Sequence, residues 1–220
     1  MINYKSYIGP LDRYDLMAAS QFNLLTTIGL RETHTLLDIG CGSLRGGKLF
    51  IPYLLPEKYY GVEPNQWLID DGIENEVGQS QIDIKKPRFS NTDVFDFSVF
   101  NTKFDFLLAQ SIFSHSSSKQ MQSCIVEAEK VMHDNSVFIA TFYHADVNYE
   151  GDVWVYPNVV GYTFEHIIDL ASDVGLSVFD VEWVHYGKQT WFALMRDECT
   201  YSDNHVFPMR RQQPIFYLKP

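Results

Sequence analysis

The sequence predicts an α/β fold, a doubly wound and mostly parallel seven-stranded sheet with helices on both faces and a C-terminal antiparallel hairpin. Short apolar runs alternate with longer segments of helical spacing up to about residue 175. This alternation is typical of a parallel sheet covered by helices. Two strand-like runs then end the pattern, and the link between them, Tyr186-Gly187-Lys188-Gln189, is short and contains a glycine. These two runs therefore predict the hairpin.

Hydrophobic periodicity and the positions of glycine and proline predict the individual elements. Strands are predicted at residues 35–40, 59–63, within 82–92, and at 104–109, 136–142, 177–185 and 190–195. Helices are predicted at 12–30, 44–55, 65–77, 117–133 and 164–174. Pro87 falls within 82–92, so that segment is an edge strand if it is a strand at all.

Charge and cysteine content exclude several classes of protein. The 220 residues carry 17 Lys and Arg against 28 Asp and Glu, a formal net charge of −11. A body this acidic repels phosphate backbones, which argues against nucleic-acid binding. The cysteines, Cys41, Cys124 and Cys199, are scattered and odd in number, which favours a reducing compartment. With neither a signal-peptide pattern nor a membrane-spanning apolar run, the sequence predicts a cytoplasmic, soluble protein without a membrane partner.

A glycine turn after the first strand is the strongest sequence signal. In Leu37-Asp38-Ile39-Gly40-Cys41-Gly42 an apolar strand runs into two glycines, and a predicted helix follows. Glycines at this place let the backbone turn tightly and approach a ligand closely. Glu63 ends the next strand, 23 residues after Gly40. In doubly wound folds an acid at this position binds the ribose hydroxyls of a nucleoside.

These residues resemble the first two motifs of the class I S-adenosylmethionine-dependent methyltransferases. The resemblance covers about residues 30–196. It implies S-adenosylmethionine as cofactor and S-adenosylhomocysteine as product. It also implies a set of cofactor-binding positions: Asp38, Gly40, Cys41, Gly42 and Glu63 from the first two motifs, Asp93 and Val94 from an adenine-contacting motif, and Gln110 after the fourth strand.

Arg45 follows the glycine turn, in the first turn of the helix predicted at 44–55. Its guanidinium is a candidate to hold the carboxylate of the cofactor. The alternative is a solvated arginine with no ligand, and the sequence leaves both open.

The chain is expected to form a single domain, 1–220, with three additions. The resemblance implies an N-terminal helical lid, 1–30. Residues 144–162 interrupt the strand and helix pattern and carry several aromatics, so they predict an insertion over the active site. The C-terminal tail, 197–220, is apolar and is expected to pack on the domain or on a partner subunit. The oligomeric state is open.

Two histidines are candidates for a general base, because an imidazole titrates near working pH. His115 follows the fourth strand and His144 the fifth. Either could instead be structural, in which case the acceptor would be ionised beforehand and only oriented by the protein. Tyr143, Trp154 and Tyr156 are candidate substrate-binding residues. Histidine spacing predicts no metal site.

The sequence thus predicts methyl transfer to a small-molecule acceptor at oxygen, and it leaves nitrogen, carbon and protein acceptors open. One alternative is an NAD(P)-dependent oxidoreductase, which the missing third glycine of G-x-G-x-x-G disfavours, since Arg45 stands in its place. The other is a non-catalytic nucleoside-binding protein of the same fold.

Overall fold

The computed structural model describes residues 3–203 and 209–211. In these ranges the strands form a sheet in the order β3-β2-β1-β4-β5-β8-β7-β9, with β6 paired to β5 beside this path. The strands are β1 Leu36–Ile39, β2 Tyr59–Val62, β3 Arg88–Ser90, β4 Phe104–Ala109, β5 Met132–His144, β6 Gly161–Tyr162, β7 Ser177–Val181, β8 Thr190–Met195 and β9 Met209–Arg211.

Helices connect most of the strands. They are α1 Tyr4–Tyr7, α2 Tyr14–Ile28, α3 Gly47–Tyr53, α4 Gln66–Gly72, α5 Gln79–Lys85, α6 Ser118–Lys130, α7 Phe164–Ser172 and α8 Thr200–Asp203. A π-helix, Ile73–Val77, continues α4, and short 3-10 helices cover Leu11–Arg13 and Ser98–Phe100. No helix in the described part of the chain is both long enough and apolar enough to cross a bilayer.

The sheet separates two hydrophobic cores, because successive side chains of a strand point to opposite faces. In β1, Leu37 and Ile39 pack in one core and Leu36 in the other. The first core is covered by α6 and α7. The second lies under α2, α3 and α4. Burial on both faces explains why β1, β2 and β4 read as continuous apolar runs.

Strand directions confirm the predicted fold class. β1 pairs in parallel with β2 and β4, β2 with β3, and β4 with β5. β8 is antiparallel to both β5 and β7, which is the expected hairpin. The chain leaves the hairpin at Val181 rather than at residue 185, because the segment after it turns back on α2. There Ser20 Oγ donates to the Val184 carbonyl at 3.1 Å and Arg13 Nη1 to the Tyr186 carbonyl at 2.7 Å.

The edge strand predicted within 82–92 is present as β3, Arg88–Ser90, which pairs with β2; before it α5 ends at Lys85 and Lys86 adopts a left-handed φ of 50°. Two predicted helices differ in their bounds from the structure. The helix predicted from residue 44 begins at Gly47, because Leu44 has a φ of 57°. The helix predicted to residue 133 ends at Lys130, and β5 starts two residues later.

The C-terminal segment adds an antiparallel strand to the sheet edge. β9 pairs with β7 from Val181↔Met209 to Phe179↔Arg211. Ahead of it, the Tyr201 ring packs edge-on against Phe106 at a centroid distance of 6.1 Å. The rest of the tail predicted to pack back, 204–208 and 212–220, lies outside the described residues.

The start of α6 allows a direct test of the fold. Ser117 Oγ accepts from Gln120 N at 3.3 Å, and Gln120 Oε1 accepts from Ser117 N at 2.9 Å, a complete capping box. We expect Ser117→Ala to lower the free energy of unfolding by about 1 kcal/mol. The exposed Lys119→Ala change serves as control and should leave stability almost unchanged. Urea unfolding measures both, and equal losses would contradict the capping role.

Candidate functional site

A cleft of about 430 Å³ opens beyond the carboxyl ends of β1, β2 and β4. The strand order reverses here, since β1 lies between β2 and β4, and a crevice at such a reversal is where open α/β sheets bind ligands. The cleft is lined by residues of the glycine turn, the end of β2, the segment after β4, the N-terminal segment and the insertion.

The glycine turn forms the floor of the cleft. Gly40 and Gly42 both have left-handed φ values, 71° and 54°, and the Gly40 and Cys41 amides bond to the Val62 carbonyl at 2.8 and 3.0 Å. A Cβ on Gly40 would lie 2.1 Å from Ile112 Cδ1. The left-handed φ favours glycine at this position, and a Cβ would in addition have to displace the end of the Ile112 side chain. Cys41 also lines the cleft, and burial raises the pKa of its thiol, which is therefore protonated.

Asp38 lies under the turn and is almost completely buried. Its Oδ2 accepts from the Tyr59 hydroxyl at 2.7 Å. Burial raises the pKa of Asp38 to about 6, although the bond from Tyr59 and the charge of Arg45 act in the opposite direction. The carboxyl group thus connects β1 to β2 within the lining of the cleft.

Glu63 has one carboxylate oxygen in use and one available. Oε1 accepts from Asn65 N at 2.9 Å and from Asn65 Nδ2 at 2.7 Å. Oε2 has no hydrogen-bond partner among the residues that the structure describes. The side chain is only 7% exposed and lines the cleft. An oriented carboxylate of this kind is suited to accept hydrogen bonds from ligand hydroxyls.

Arg45 is a cation that forms no ion pair with a carboxylate in the part of the chain that the structure describes. Its Nη1 donates to the Ile8 carbonyl at 3.2 Å and its Nη2 to Gln110 Oε1. Its buried Nε has no partner in residues 3–203 and 209–211. Burial lowers the pKa of Arg45 to about 10, so the group stays charged at neutral pH. It lies in the turn before α3, not in a helical first turn as the sequence suggested. A buried donor without a partner marks a place where an anionic group is bound favourably.

Of the two residues predicted to contact the adenine, Asp93 and Val94, one lies in the cleft and the other does not. Asp93 lines the cleft, together with Thr92 and Phe95. Val94 is 66% exposed and is not part of the lining.

His115 forms part of the opposite wall. Its Nδ1 is 2.7 Å from the Asn158 carbonyl. Because a carbonyl only accepts, Nδ1 carries the proton of the neutral ring and Nε2 carries a lone pair. Burial lowers the pKa of His115 despite the bond to Asn158. The ring is 5.6 Å from the ring of Trp154 and 5.0 Å from that of Tyr156, measured between centroids, and all three residues line the cleft.

The insertion and the N-terminal segment meet above the cleft. Val155 N donates to the His115 carbonyl at 2.9 Å, so the insertion runs beside the segment after β4. The Tyr156 hydroxyl donates to the Tyr7 carbonyl, and the Tyr7 ring packs edge-on against Trp67 at 5.1 Å. Tyr7 and Ile8 therefore close one side of the cleft.

Glu76, in the π-helix, fixes the N-terminal segment. Its Oε1 accepts from the Tyr4 hydroxyl and from Lys5 Nζ, both at 2.8 Å, and its Oε2 accepts from Lys48 Nζ at 2.9 Å. These contacts connect α1 to α3 and to the segment after α4. The sequence did not single out Glu76, since its partners are distant along the chain.

Two candidates from the end of β5 lie outside the lining of the cleft. His144 is exposed, and its ring is near those of Phe142 and Phe164. The Tyr143 hydroxyl donates to the Gly187 carbonyl at 3.0 Å. β6 pairs with Tyr143 and His144 and so covers this end of the strand. Among the described residues, no group of three His, Cys, Asp or Glu side chains is placed to hold a metal ion.

No protein-family model and no curated protein sequence matches the chain. Several solved structures match the chain in fold. A magnesium protoporphyrin IX methyltransferase from Synechocystis PCC 6803 with bound S-adenosylhomocysteine superimposes with a TM-score of 0.63 at 13% identity, covering 83% of each chain. A TehB-like S-adenosylmethionine-dependent methyltransferase from Corynebacterium glutamicum gives 0.60 at 16% identity over 84% of this chain and 95% of its own. The glycopeptide N-methyltransferase MtfA gives 0.62 at 8% identity, covering 83% and 90%. The chain therefore has the fold of the class I S-adenosylmethionine-dependent methyltransferases.

The glycine turn can be tested against a glycine with the same backbone. Gly175 has a φ of 74°, like Gly40, but a Cβ there meets no atom within 4 Å. We expect Gly175→Ala to lower the free energy of unfolding by roughly 1–2 kcal/mol, which is the cost of holding an alanine in a left-handed backbone conformation. Gly40→Ala should cost roughly 1–3 kcal/mol more, because its methyl group also displaces Ile112. Equal losses in urea unfolding would show that the space at Gly40 is not limiting.

Proposed function

We propose that the protein is an S-adenosylmethionine-dependent methyltransferase that acts on a hydroxyl oxygen of a small acceptor, with His115 as general base. The observation that carries this proposal is a single cleft with an available Glu63 carboxylate oxygen on one wall and an unprotonated imidazole nitrogen of His115 on another. The free thiols Cys41 and Cys124 support a reducing compartment such as the cytoplasm.

The side chains on the glycine-turn side of the cleft fit the cofactor. Glu63 Oε2 would accept from the ribose hydroxyls, as in other doubly wound folds. Arg45 would pair with the carboxylate, which supplies a partner for its buried Nε. Because Gly40 and Gly42 have no side chains, the turn would leave room for the part of the cofactor that joins its ribose to its carboxylate. Asp93 lies at the adenine end.

Bound S-adenosylmethionine would supply a methyl group already activated by its sulfonium sulfur, and it would leave as S-adenosylhomocysteine. The protein must then hold the acceptor oxygen in line with that methyl group and take up the hydroxyl proton. His115 Nε2 has the free lone pair for this step, and the Asn158 carbonyl holds the ring in the required tautomer. We assign the base to His115 and not to His144, since only His115 lines the cleft.

Uncharged aromatic side chains surround the base. Tyr7, Trp154 and Tyr156 line the cleft beside His115, and Trp154 is 42% exposed at its mouth. Such walls suit an acceptor with a ring that stacks on them. Similar structures include methyltransferases of a porphyrin and of a glycopeptide, which supports a small acceptor.

Calorimetric titration with S-adenosylmethionine, S-adenosylhomocysteine and NAD(P)H tests the cofactor. We expect micromolar binding of the two sulfur nucleosides and none of the nicotinamide cofactors. Glu63→Ala should weaken binding about 10- to 100-fold, because hydrogen bonds to a carboxylate are lost. Glu165→Gln, an exposed change on α7, is the control. Binding of NAD(P)H alone would instead support an oxidoreductase.

The base is tested by turnover on a panel of phenols and glycosides, followed as S-adenosylhomocysteine formation. His115→Asn keeps a donor for the Asn158 carbonyl but lacks Nε2, so kcat should fall roughly 10²- to 10⁴-fold with cofactor affinity preserved. In the parent protein a base must be unprotonated, so the rate should rise with pH through an inflection below 6.5, since the pKa of His115 is lowered from that value. Unchanged kcat in the variant would leave the base unassigned.

A further inference from the structure

A polar layer beneath Arg45 has features that cofactor binding by Arg45 alone does not explain. The carboxamide of Gln110, at the end of β4, lies at its centre. Gln110 Oε1 accepts from Gln21 Nε2 at 2.7 Å and from Arg45 Nη2. The other edge of this carboxamide, Nε2, lies 3.0 Å from His185 Nε2. His185 belongs to the link between β7 and β8, 75 residues further along the chain.

The protonation of His185 follows from its other nitrogen. His185 Nδ1 accepts from Gly187 N at 3.0 Å and from Gln189 N at 3.1 Å. Backbone amides only donate, so Nδ1 carries no proton and the single proton of the neutral ring is on Nε2. Burial and the nearby charge of Arg45 lower the pKa of His185 to about 4. At neutral pH the ring is therefore uncharged and offers an Nε2–H donor to Gln110.

The Gln110 oxygen accepts from two donors, Gln21 and Arg45, and a third donor, His185 Nε2–H, lies at the other edge of the carboxamide. The His185 proton therefore faces an amide nitrogen that also donates. Arg45 Nε likewise has no partner among the residues that the structure describes. This layer contains more donors than acceptors, and an incoming carboxylate would correct the balance.

We propose that His185 is a positioning residue of the cofactor site, which acts through the carboxamide of Gln110 on the guanidinium of Arg45. When Arg45 turns to the carboxylate of the cofactor, a half-turn of the carboxamide brings its oxygen onto the His185 proton. The bond from His185 replaces the one that Arg45 gives up. The bond from Gln21 is kept only if the Gln21 carboxamide turns at the same time, so that its oxygen accepts from Gln110 Nε2. The Ser111 hydroxyl, which also contacts this carboxamide, can donate to the same oxygen after the turn. The proposal rests on the proposed function, because it needs a carboxylate-bearing cofactor.

Two variants distinguish the role of His185 Nδ1 from the role of His185 Nε2. His185→Asn keeps an acceptor near the Nδ1 position for the backbone amides of the link, but it is too short to reach Gln110. His185→Gln extends an amide donor to the Nε2 position and loses the acceptor for the link. A purely structural role predicts that Gln is the worse replacement, whereas a positioning role predicts that Asn is.

The readout is the affinity for S-adenosylhomocysteine compared with 5′-methylthioadenosine, which has the same nucleoside but no carboxylate. We expect His185→Asn to lower the affinity for S-adenosylhomocysteine about 3- to 10-fold, which is the effect of losing one hydrogen bond. The affinity for 5′-methylthioadenosine should change by less than about twofold. The His185→Gln variant should bind S-adenosylhomocysteine about as tightly as the unmodified protein. In an Arg45→Met background, His185→Asn should have no further effect.

Three results would overturn the inference. In the His185→Asn variant, the affinities for both nucleosides could fall by the same factor, or neither affinity could change. Alternatively, the His185→Gln variant could bind S-adenosylhomocysteine no better than the His185→Asn variant does. These differ from failure of the proposed function, in which the unmodified protein binds neither nucleoside. In that case Arg45 has no cofactor carboxylate to hold, and the role of His185 fails with it.

Discussion

The reversal of strand order at β1 is the constraint on which the site depends. The chain moves from β1 to β2 and β3 on one side and returns to β4 on the other. The connections that follow β1 and β4 therefore leave the sheet toward opposite faces, and a crevice forms between them. The parallel register of β1 with β2 and with β4 then brings Gly40, Glu63 and Gln110 to the same sheet edge, although they are far apart in the sequence.

The upper walls of the cleft come from segments that are not part of the βα repeat. Their positions depend on individual polar contacts: Glu76 holds α1, the Asn158 carbonyl orients His115, and Ser20 holds the link that carries His185. Each contact connects parts of the chain that are distant in sequence, and none of them belongs to the pairing of the sheet strands.

The sequence allowed the fold to be predicted, and with it the meeting of Gly40, Glu63 and Gln110 in one cleft, because both depend on local patterns. Apolar runs define the strands, and the glycine turn and the acid at Glu63 follow from strand ends. Local propensity misplaced the start of a helix at Leu44, because this residue has a left-handed φ. His144 was proposed from its place after the fifth strand and Val94 from the family resemblance, but both are exposed and neither lines the cleft. His185, Gln21 and Glu76 were missed, since only tertiary contacts give them a role.

The lining of the cleft carries both acceptors and donors, and this combination bears on the kind of ligand that fits. Glu63 and Asp93 supply carboxylate acceptors. Arg45 supplies donors, and its buried Nε has no partner among the described residues. A ligand that carries both hydroxyl donors and a carboxylate can satisfy the two kinds of group at once. A pyrophosphate-bridged dinucleotide would bring two negative charges into a cleft whose lining contains three carboxyl groups and one cation. The cleft therefore favours an amino-acid-bearing nucleoside on electrostatic grounds, independently of any sequence motif.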